Sequence, residues 1–97
     1  MEVDANLIKE YGLKIISTDK IAALVGGEGV HHSVFRNETG WVCIVVPTAI
    51  TKQDVVQLVK AFTEAVKETG GKVSGERAGV AAVVRVRGRL ALERLGL

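Results

Sequence analysis

The strongest hydrophobic pattern in the chain lies between Gly40 and Gly70. Six apolar residues, Trp41–Val46, run up to Pro47, where a strand has to end because proline has no backbone N–H to donate to a neighbouring strand. From Thr51 onward, apolar residues recur every three or four positions, which is typical of one face of an amphipathic helix. They are Val55, Val56, Leu58, Val59, Phe62, Ala65 and Val66. The pattern predicts a strand followed by a helix that packs on the sheet containing that strand.

Weaker patterns predict the remaining elements. In chain order they are a helix over 5–11 capped by Asp4, a strand over 13–16, a helix over 19–25, a strand over 30–36, a hairpin loop over 37–40, a polar loop over 72–79, a strand over 80–87 and a short helix over 89–95. After the first helix, the order is strand, helix, strand, strand, helix, strand, which is the ferredoxin-like order. We therefore predict one α+β domain over residues 1–97. Its four-stranded antiparallel sheet carries both main helices on one face, in a βαββαβ two-layer sandwich with a short extra helix at each end.

The hairpin allows a prediction of which side chains share a face of the sheet. If Arg36 lies opposite Trp41, alternation sends Phe35 to the face under the helices. A shift of one residue would move every hairpin side chain to the other face. In the predicted register, the open face has an apolar centre of Trp41, Cys43, Val45 and Val83, surrounded by His32, Arg36, Arg85 and Arg87.

The charges are distributed unevenly. The net charge of +2 is too small to indicate a polyanionic partner by itself. Residues 1–71 hold seven Lys/Arg against nine Asp/Glu, a balance of −2, whereas residues 72–97 hold six against two, a balance of +4. Arginine carries a planar fork of donors that suits phosphates and carboxylates. The arginines of this last segment are Arg77, Arg85, Arg87, Arg89 and Arg94.

Composition also bears on the location and source of the protein. The apolar runs are far shorter than the roughly 20 residues that a membrane-spanning helix needs, and the first residues lack the basic and apolar segments of a secretory signal. Cys43 is the only cysteine, so an internal disulfide is impossible. We therefore expect a cytoplasmic protein without a membrane partner. The chain has few thermolabile residues and is 25% charged, which is typical of a thermophilic source.

An apolar sheet face with cationic edges suits three kinds of partner. A second copy of the chain could pack on it, since Trp and Arg are frequent interface residues. A nucleic acid could stack a base on Trp41 while Arg85 and Arg87, with Arg77 and Arg89 as further phosphate contacts, bind its backbone. A small anionic ligand could bind Arg85 or Arg87. We expect a small binding or regulatory domain that associates with itself, with nucleic-acid binding as the alternative. The segment around Trp41 lacks the basic start and the further aromatics of an RNA-recognition motif.

Sites of catalysis, metal or cofactor binding are not predicted. His31 and His32 are adjacent in an extended segment and point to opposite sides, and structural zinc sites use four ligands. Cys43 lies in an apolar run, where a cysteine behaves as a small hydrophobe. Residues 26–29 are glycine-rich but follow a helix, whereas phosphate loops follow a strand. We therefore expect a non-enzymatic protein.

One stretch resembles a known family. Residues 40–47, Gly-Trp-Val-Cys-Ile-Val-Val-Pro, followed by residues 50–56, Ile-Thr-Lys-Gln-Asp-Val-Val, are similar to the strand and final helix of the small domain of pyridoxal-phosphate-dependent aminotransferases. The resemblance covers under a third of the chain. It implies at most a detached small domain, because the large domain with its cofactor lysine has no room here, and it assigns no catalytic residue.

Overall fold

A computed structural model describes residues 18–27, 29–47 and 50–97 of the chain. In chain order, the described elements are α1 (Asp19–Val25), β1 (Ser33–Arg36), β2 (Trp41–Val46), α2 (Lys52–Val66), β3 (Lys72–Ala78), β4 (Ala81–Arg87) and α3 (Arg89–Arg94). The predicted helix over 5–11, its Asp4 cap and the predicted strand over 13–16 lie outside the described residues.

The four described strands form one antiparallel sheet in the order β1-β2-β4-β3. The predicted α+β class, with a four-stranded antiparallel sheet, is confirmed. The specific ferredoxin-like order is not, because the fourth described strand is β3, which takes the place of the predicted polar loop over 72–79.

A tight turn explains why this polar segment is a strand. β3 and β4 are joined by the two residues Gly79 and Val80, with Ala78 opposite Ala81. Gly79 has φ 65°, and a glycine with positive φ at the first of two loop residues suits the turns whose twist matches a hairpin. The turn therefore aligns the segment with the apolar β4. The segment itself has little apolar character, which its position at an edge of the described sheet allows.

The long helix α2 begins where the sequence predicts. The hydroxyl oxygen of Thr51 accepts a hydrogen bond from the Asp54 backbone N–H at 3.1 Å, and Asp54 Oδ2 accepts one from the Thr51 backbone N–H at 3.0 Å. This reciprocal capping box satisfies two of the N–H groups that a helix start leaves unpaired. The buried stripe of the helix consists of Val55, Leu58, Phe62 and Val66.

The three described helices share one core with one face of the sheet. Ile21 from α1, Phe62 from α2 and Leu92 from α3 belong to the same buried cluster. The strand residues of this cluster are Val34, Val42, Ile44, Val46, Ala82, Val84 and Val86. We call this the helix-covered face and the opposite side the second face. Gly75 in β3 lets α2 approach closely, because a Cβ there would collide with Cγ2 of Val59.

The register of the first hairpin differs by one residue from the prediction. Arg36 lies opposite Val42, not Trp41, and Phe35 lies opposite Cys43. The cause is Asn37, whose backbone N–H donates to the Trp41 carbonyl at 3.0 Å and whose Oδ1 accepts from the Trp41 N–H at 3.0 Å. The loop therefore has three residues, ending at Gly40 with φ 85°, a common form of hairpin loop. The shift reverses the predicted faces of β1 and leaves those of β2 and β4 as predicted.

Candidate anion-binding site

Strand pairing arranges the second face in rows that run across the sheet. The first row contains Lys72 of β3, Arg87 of β4 and Trp41 of β2, each directly opposite the next. The second row contains Ser74, Arg85, Cys43 and Phe35, and the third contains Glu76, Val83, Val45 and Ser33. The pairings thus bring Trp41, Arg85 and Arg87 together on one face, as the sequence predicted.

Burial divides this face into two parts. Phe35, Cys43, Val45 and Val83 are at most 4% exposed and form a second apolar cluster. Toward β3, Lys72, Ser74, Glu76 and Arg87 are exposed, and Trp41 is half-buried. The apolar centre is therefore not the open surface that the sequence predicted, and the three described helices, which pack on the opposite face, do not account for its burial. The accessible part of the second face is the polar part, over β3 and β4.

The first row combines two cations with an aromatic ring. Lys72 and Arg87 lie directly opposite each other, and like charges in that position destabilise a sheet. The guanidinium carbon of Arg87 lies 5.8 Å from the centroid of the Trp41 ring, within the range of a cation–π contact. Within the described part of the chain, neither Lys72 nor Arg87 forms an ion pair with a carboxylate. We call this set the Lys72–Arg87–Trp41 row.

Arg85, in the neighbouring row, is already engaged. Its Nη2 donates to Glu76 Oε1 at 2.7 Å, so the two side chains form an ion pair across β3 and β4. Burial raises the pKa of the Cys43 thiol, and the charge and hydrogen bond of Arg85 oppose that rise only in part. Cys43 is therefore a buried, protonated thiol rather than a nucleophile. Because Arg85 already forms an ion pair with Glu76, Lys72 and Arg87 are the main cations that this part of the second face offers to an anion.

The other predicted site residues lie elsewhere. Arg36 is on the helix-covered side, where its Nη2 donates to the Leu97 carbonyl at 3.4 Å. His32 precedes β1, with Nδ1 3.2 Å from the Val30 carbonyl oxygen, so the shifted register removes both residues from the second face. Arg77 lies near the far end of β3, opposite Ala82 of the helix-covered face.

Arg89 lies at the same end of the sheet as the row. It is the first residue of α3, two positions after Arg87, and its Nη1 lies 3.6 Å from Glu93 Oε1. The sequence reasoning missed Lys72, because a lysine in a polar loop has no defined face. The Gly79–Val80 turn is the signal that could have identified Lys72. A hairpin turn there predicts that residues 72–78 form a strand and therefore which face each of their side chains occupies.

The described residues offer few alternatives to this site. A groove of about 480 Å³ between α1 and α2 is lined mainly by apolar side chains, with Asp54 and Gln57 as its polar members, so it does not suit an anion. Among the residues described, no three His, Cys, Asp or Glu side chains lie close enough together to hold a metal ion.

Comparisons of the chain with protein-family models, with curated proteins and with solved structures find no match. The similarity of residues 40–56 to the aminotransferase small domain therefore stays a prediction. None of the helices in the described ranges has the length and apolar character to span a membrane.

Proposed function

We propose that this protein is a non-enzymatic binding domain for single-stranded nucleic acid, with the Lys72–Arg87–Trp41 row as its contact surface. The observation that carries the proposal is the placement of two exposed cations directly opposite each other, beside an aromatic ring and without a described carboxylate partner. Packing of the sheet does not explain this arrangement, because like charges directly opposite each other lower the stability of the folded state. A bound anion would turn the same arrangement into an attraction.

The geometry suits a phosphate and a base together. Directly opposite side chains on neighbouring strands start about 5 Å apart, so Lys72 and Arg87 can each contact one of two adjacent phosphate groups of the same strand. The fork of Arg87 can bind two phosphate oxygens, while Lys72 acts as a point charge. Trp41, on the next strand, offers a ring on which a base can stack, as in proteins that bind single strands without sequence preference.

The self-association predicted from the sequence would use the centre of this face. Cys43, Val45 and Val83 are buried there, so the centre offers little apolar area to a second copy. The row at its edge is cationic, and two such rows facing each other would repel. The second face therefore favours a polyanion over a copy of the chain.

The test uses the intrinsic fluorescence of Trp41, the only tryptophan of the chain. A mixed-sequence single-stranded oligonucleotide should quench its emission at low salt, and added salt should restore it. Each phosphate contact on a single strand contributes about 0.7 to the slope of log K against log salt, so two contacts give a slope of about −1.4. An emission that the oligonucleotide leaves unchanged at low salt would contradict the proposal.

Two matched variants locate the contact. Arg87→Gln and Arg77→Gln remove the same charge from neighbouring strands, but only Arg87 belongs to the row. Arg87→Gln should weaken binding roughly tenfold and reduce the salt slope by about 0.7, whereas Arg77→Gln should change either quantity little. Equal losses in both variants would indicate attraction to net charge and not a site.

Polyphosphate separates a nucleic acid from a small or base-free anion. It offers the same charge without bases, so it should compete with the oligonucleotide while leaving the Trp41 emission nearly unquenched. If inorganic phosphate or polyphosphate bound as tightly as the oligonucleotide, and with the same effect on Trp41, the ligand would be a simple anion.

A further inference from the structure

β3 forms an unpaired edge of the described sheet. In the strand order β1-β2-β4-β3, its only described neighbour is β4. It is seven residues long, and none of its residues is buried. A strand of this length presents a row of backbone N–H and C=O groups on which another strand can pair.

The hairpin indicates which backbone groups point outward. In a two-residue hairpin, the residues that close the loop, here Ala78 and Ala81, form a pair that exchanges both backbone hydrogen bonds. Alternation along β3 then directs Ser74 and Glu76 toward β4 as well. The backbone groups of Val73, Gly75 and Arg77 point toward the free edge.

An apolar residue flanks this edge on the helix-covered side. Val59 of α2 packs over Gly75 of β3, and Val56 lies one helical turn before Val59, with 53% of its surface exposed. Val56 is one of three large apolar residues that are exposed in the described part of the chain, together with Val80 and Leu90. The flank of α2 beside β3 therefore exposes apolar surface next to backbone groups that no described strand pairs.

We propose that a second copy of this chain pairs with this edge, β3 against β3 in antiparallel orientation, with Gly75 at the two-fold axis. This register uses all seven residues and places Ser74 opposite Glu76 of the second copy. Lys72 is then the diagonal neighbour of Glu76 of the second copy, within reach of a long side chain. The antiparallel pairing thus brings Lys72 of each copy beside Glu76 of the other. This charge complementarity identifies a second copy as the occupant of the edge.

The pairing has a consequence for the surface that results. The two-fold axis of an isologous antiparallel pair is perpendicular to the sheet, so the described strands of both copies form one continuous sheet with both second faces on the same side. If the proposed function holds, two Lys72–Arg87–Trp41 rows lie on one surface, and one strand can bind both with an increased effective concentration. The dimer itself does not depend on that function.

Sedimentation velocity over micromolar to millimolar concentrations, without nucleic acid, tests the dimer. The full chain should shift from monomer to dimer as its concentration rises. Val56→Glu places a charge on the apolar flank and should weaken the dimer tenfold or more. Leu90→Glu is the matched control, because Leu90 is 49% exposed on α3, and it should leave the dimer intact.

A second variant addresses the backbone pairing directly. Arg77→Pro removes an outward N–H that β4 does not use, a substitution that edge strands tolerate, and it should also give a monomer. Hydrogen exchange of the Val73, Gly75 and Arg77 amides should slow as the concentration rises, whereas exchange in α3 should not.

Three outcomes would overturn the proposal. They are a monomer at every concentration, a dimer that neither Val56→Glu nor Arg77→Pro weakens, and equal losses in Val56→Glu and Leu90→Glu. A monomer at every concentration would make a peptide strand of another protein the remaining candidate to pair with β3. Because oligonucleotide titration of Trp41 is measured separately, failure of the dimer and failure of nucleic-acid binding are distinguishable.

Discussion

The two faces of the sheet are made by the same four strands but meet different demands. The helix-covered face is apolar from Val34 on β1 to Val73 on β3, and glycine stands where α2 comes closest. The second face is apolar over β1 and β2 but polar on β3, where Lys72 opposes Arg87. Packing explains the buried side chains of the helix-covered face. It does not explain the opposed cations of the second, so these are where a function should be sought.

The largest expected effect is at Phe62, the most deeply buried large side chain of α2, with no exposed surface. Phe62→Ala removes its contacts with the helix-covered face and leaves a cavity, so the free energy of unfolding should fall by about 3–5 kcal/mol. Urea denaturation measures the loss. Lys60→Ala, at an exposed position of the same helix, should change stability by less than about 0.5 kcal/mol. Similar losses in both variants would mean that α2 does not bury the stripe described.

A smaller loss is expected at Gly75, where the same face excludes a methyl group. Gly75→Ala places a Cβ against Cγ2 of Val59, so α2 or β3 has to shift, at a cost of about 1–3 kcal/mol. Gly29→Ala is the control, because no heavy atom lies within 4 Å of a Cβ there. Adding Val59→Ala to Gly75→Ala should recover part of the loss. An undiminished loss in the double variant would place the strain elsewhere.

The capping box of α2 should contribute less and should depend on pH. Thr51→Ala removes the N-cap hydroxyl and should cost about 1 kcal/mol, whereas Thr63→Ala, in the exposed interior of the same helix, should cost little. Hydrogen bonds from the backbone N–H and then the hydroxyl of Thr51 lower the pKa of Asp54 below its ordinary value of 3.8. Because the folded pKa lies below the unfolded one, this contribution is complete above about pH 4.

The same contribution is lost as the pH falls through the lowered, folded pKa of Asp54. Asp54→Asn should therefore flatten this part of the acid limb when the free energy of unfolding is measured against pH. An acid limb identical to that of the wild-type protein would show that Asp54 does not cap the helix in solution.

The two faces also differ in how much of them could be predicted from the sequence. The strand Trp41–Val46 and the helix Lys52–Val66 were predictable because their patterns are strong, and so were the faces of β2 and β4. β3 was not, since Lys-Val-Ser-Gly-Glu-Arg-Ala has only one large apolar side chain and becomes a strand by pairing with β4. The register of β1 depends on Asn37, whose side chain closes a loop of three residues instead of four. Lys72 could be placed in the candidate site only after β3 and its pairing with β4 were known.

The smallest expected change in stability is also the most informative, since Lys72 is exposed in the monomer and lies directly opposite Arg87. Lys72→Gln removes one of two directly opposed like charges, so the free energy of unfolding of the monomer, measured at low protein concentration, should rise by about 0.2–0.5 kcal/mol at low salt. High salt should abolish that gain because it screens the exposed charges.

The same variant should bind the single-stranded oligonucleotide more weakly, with a salt slope reduced by about 0.7. A substitution that stabilises the fold and impairs binding is the sign of a residue kept for a ligand rather than for structure. Arg77→Gln, which removes a charge from the same strand but not from the row, should change neither stability nor binding appreciably. If Lys72→Gln instead destabilised the protein at low salt, the two cations would already be compensated within the fold. An anion would then not be needed to balance the charges of the Lys72–Arg87–Trp41 row.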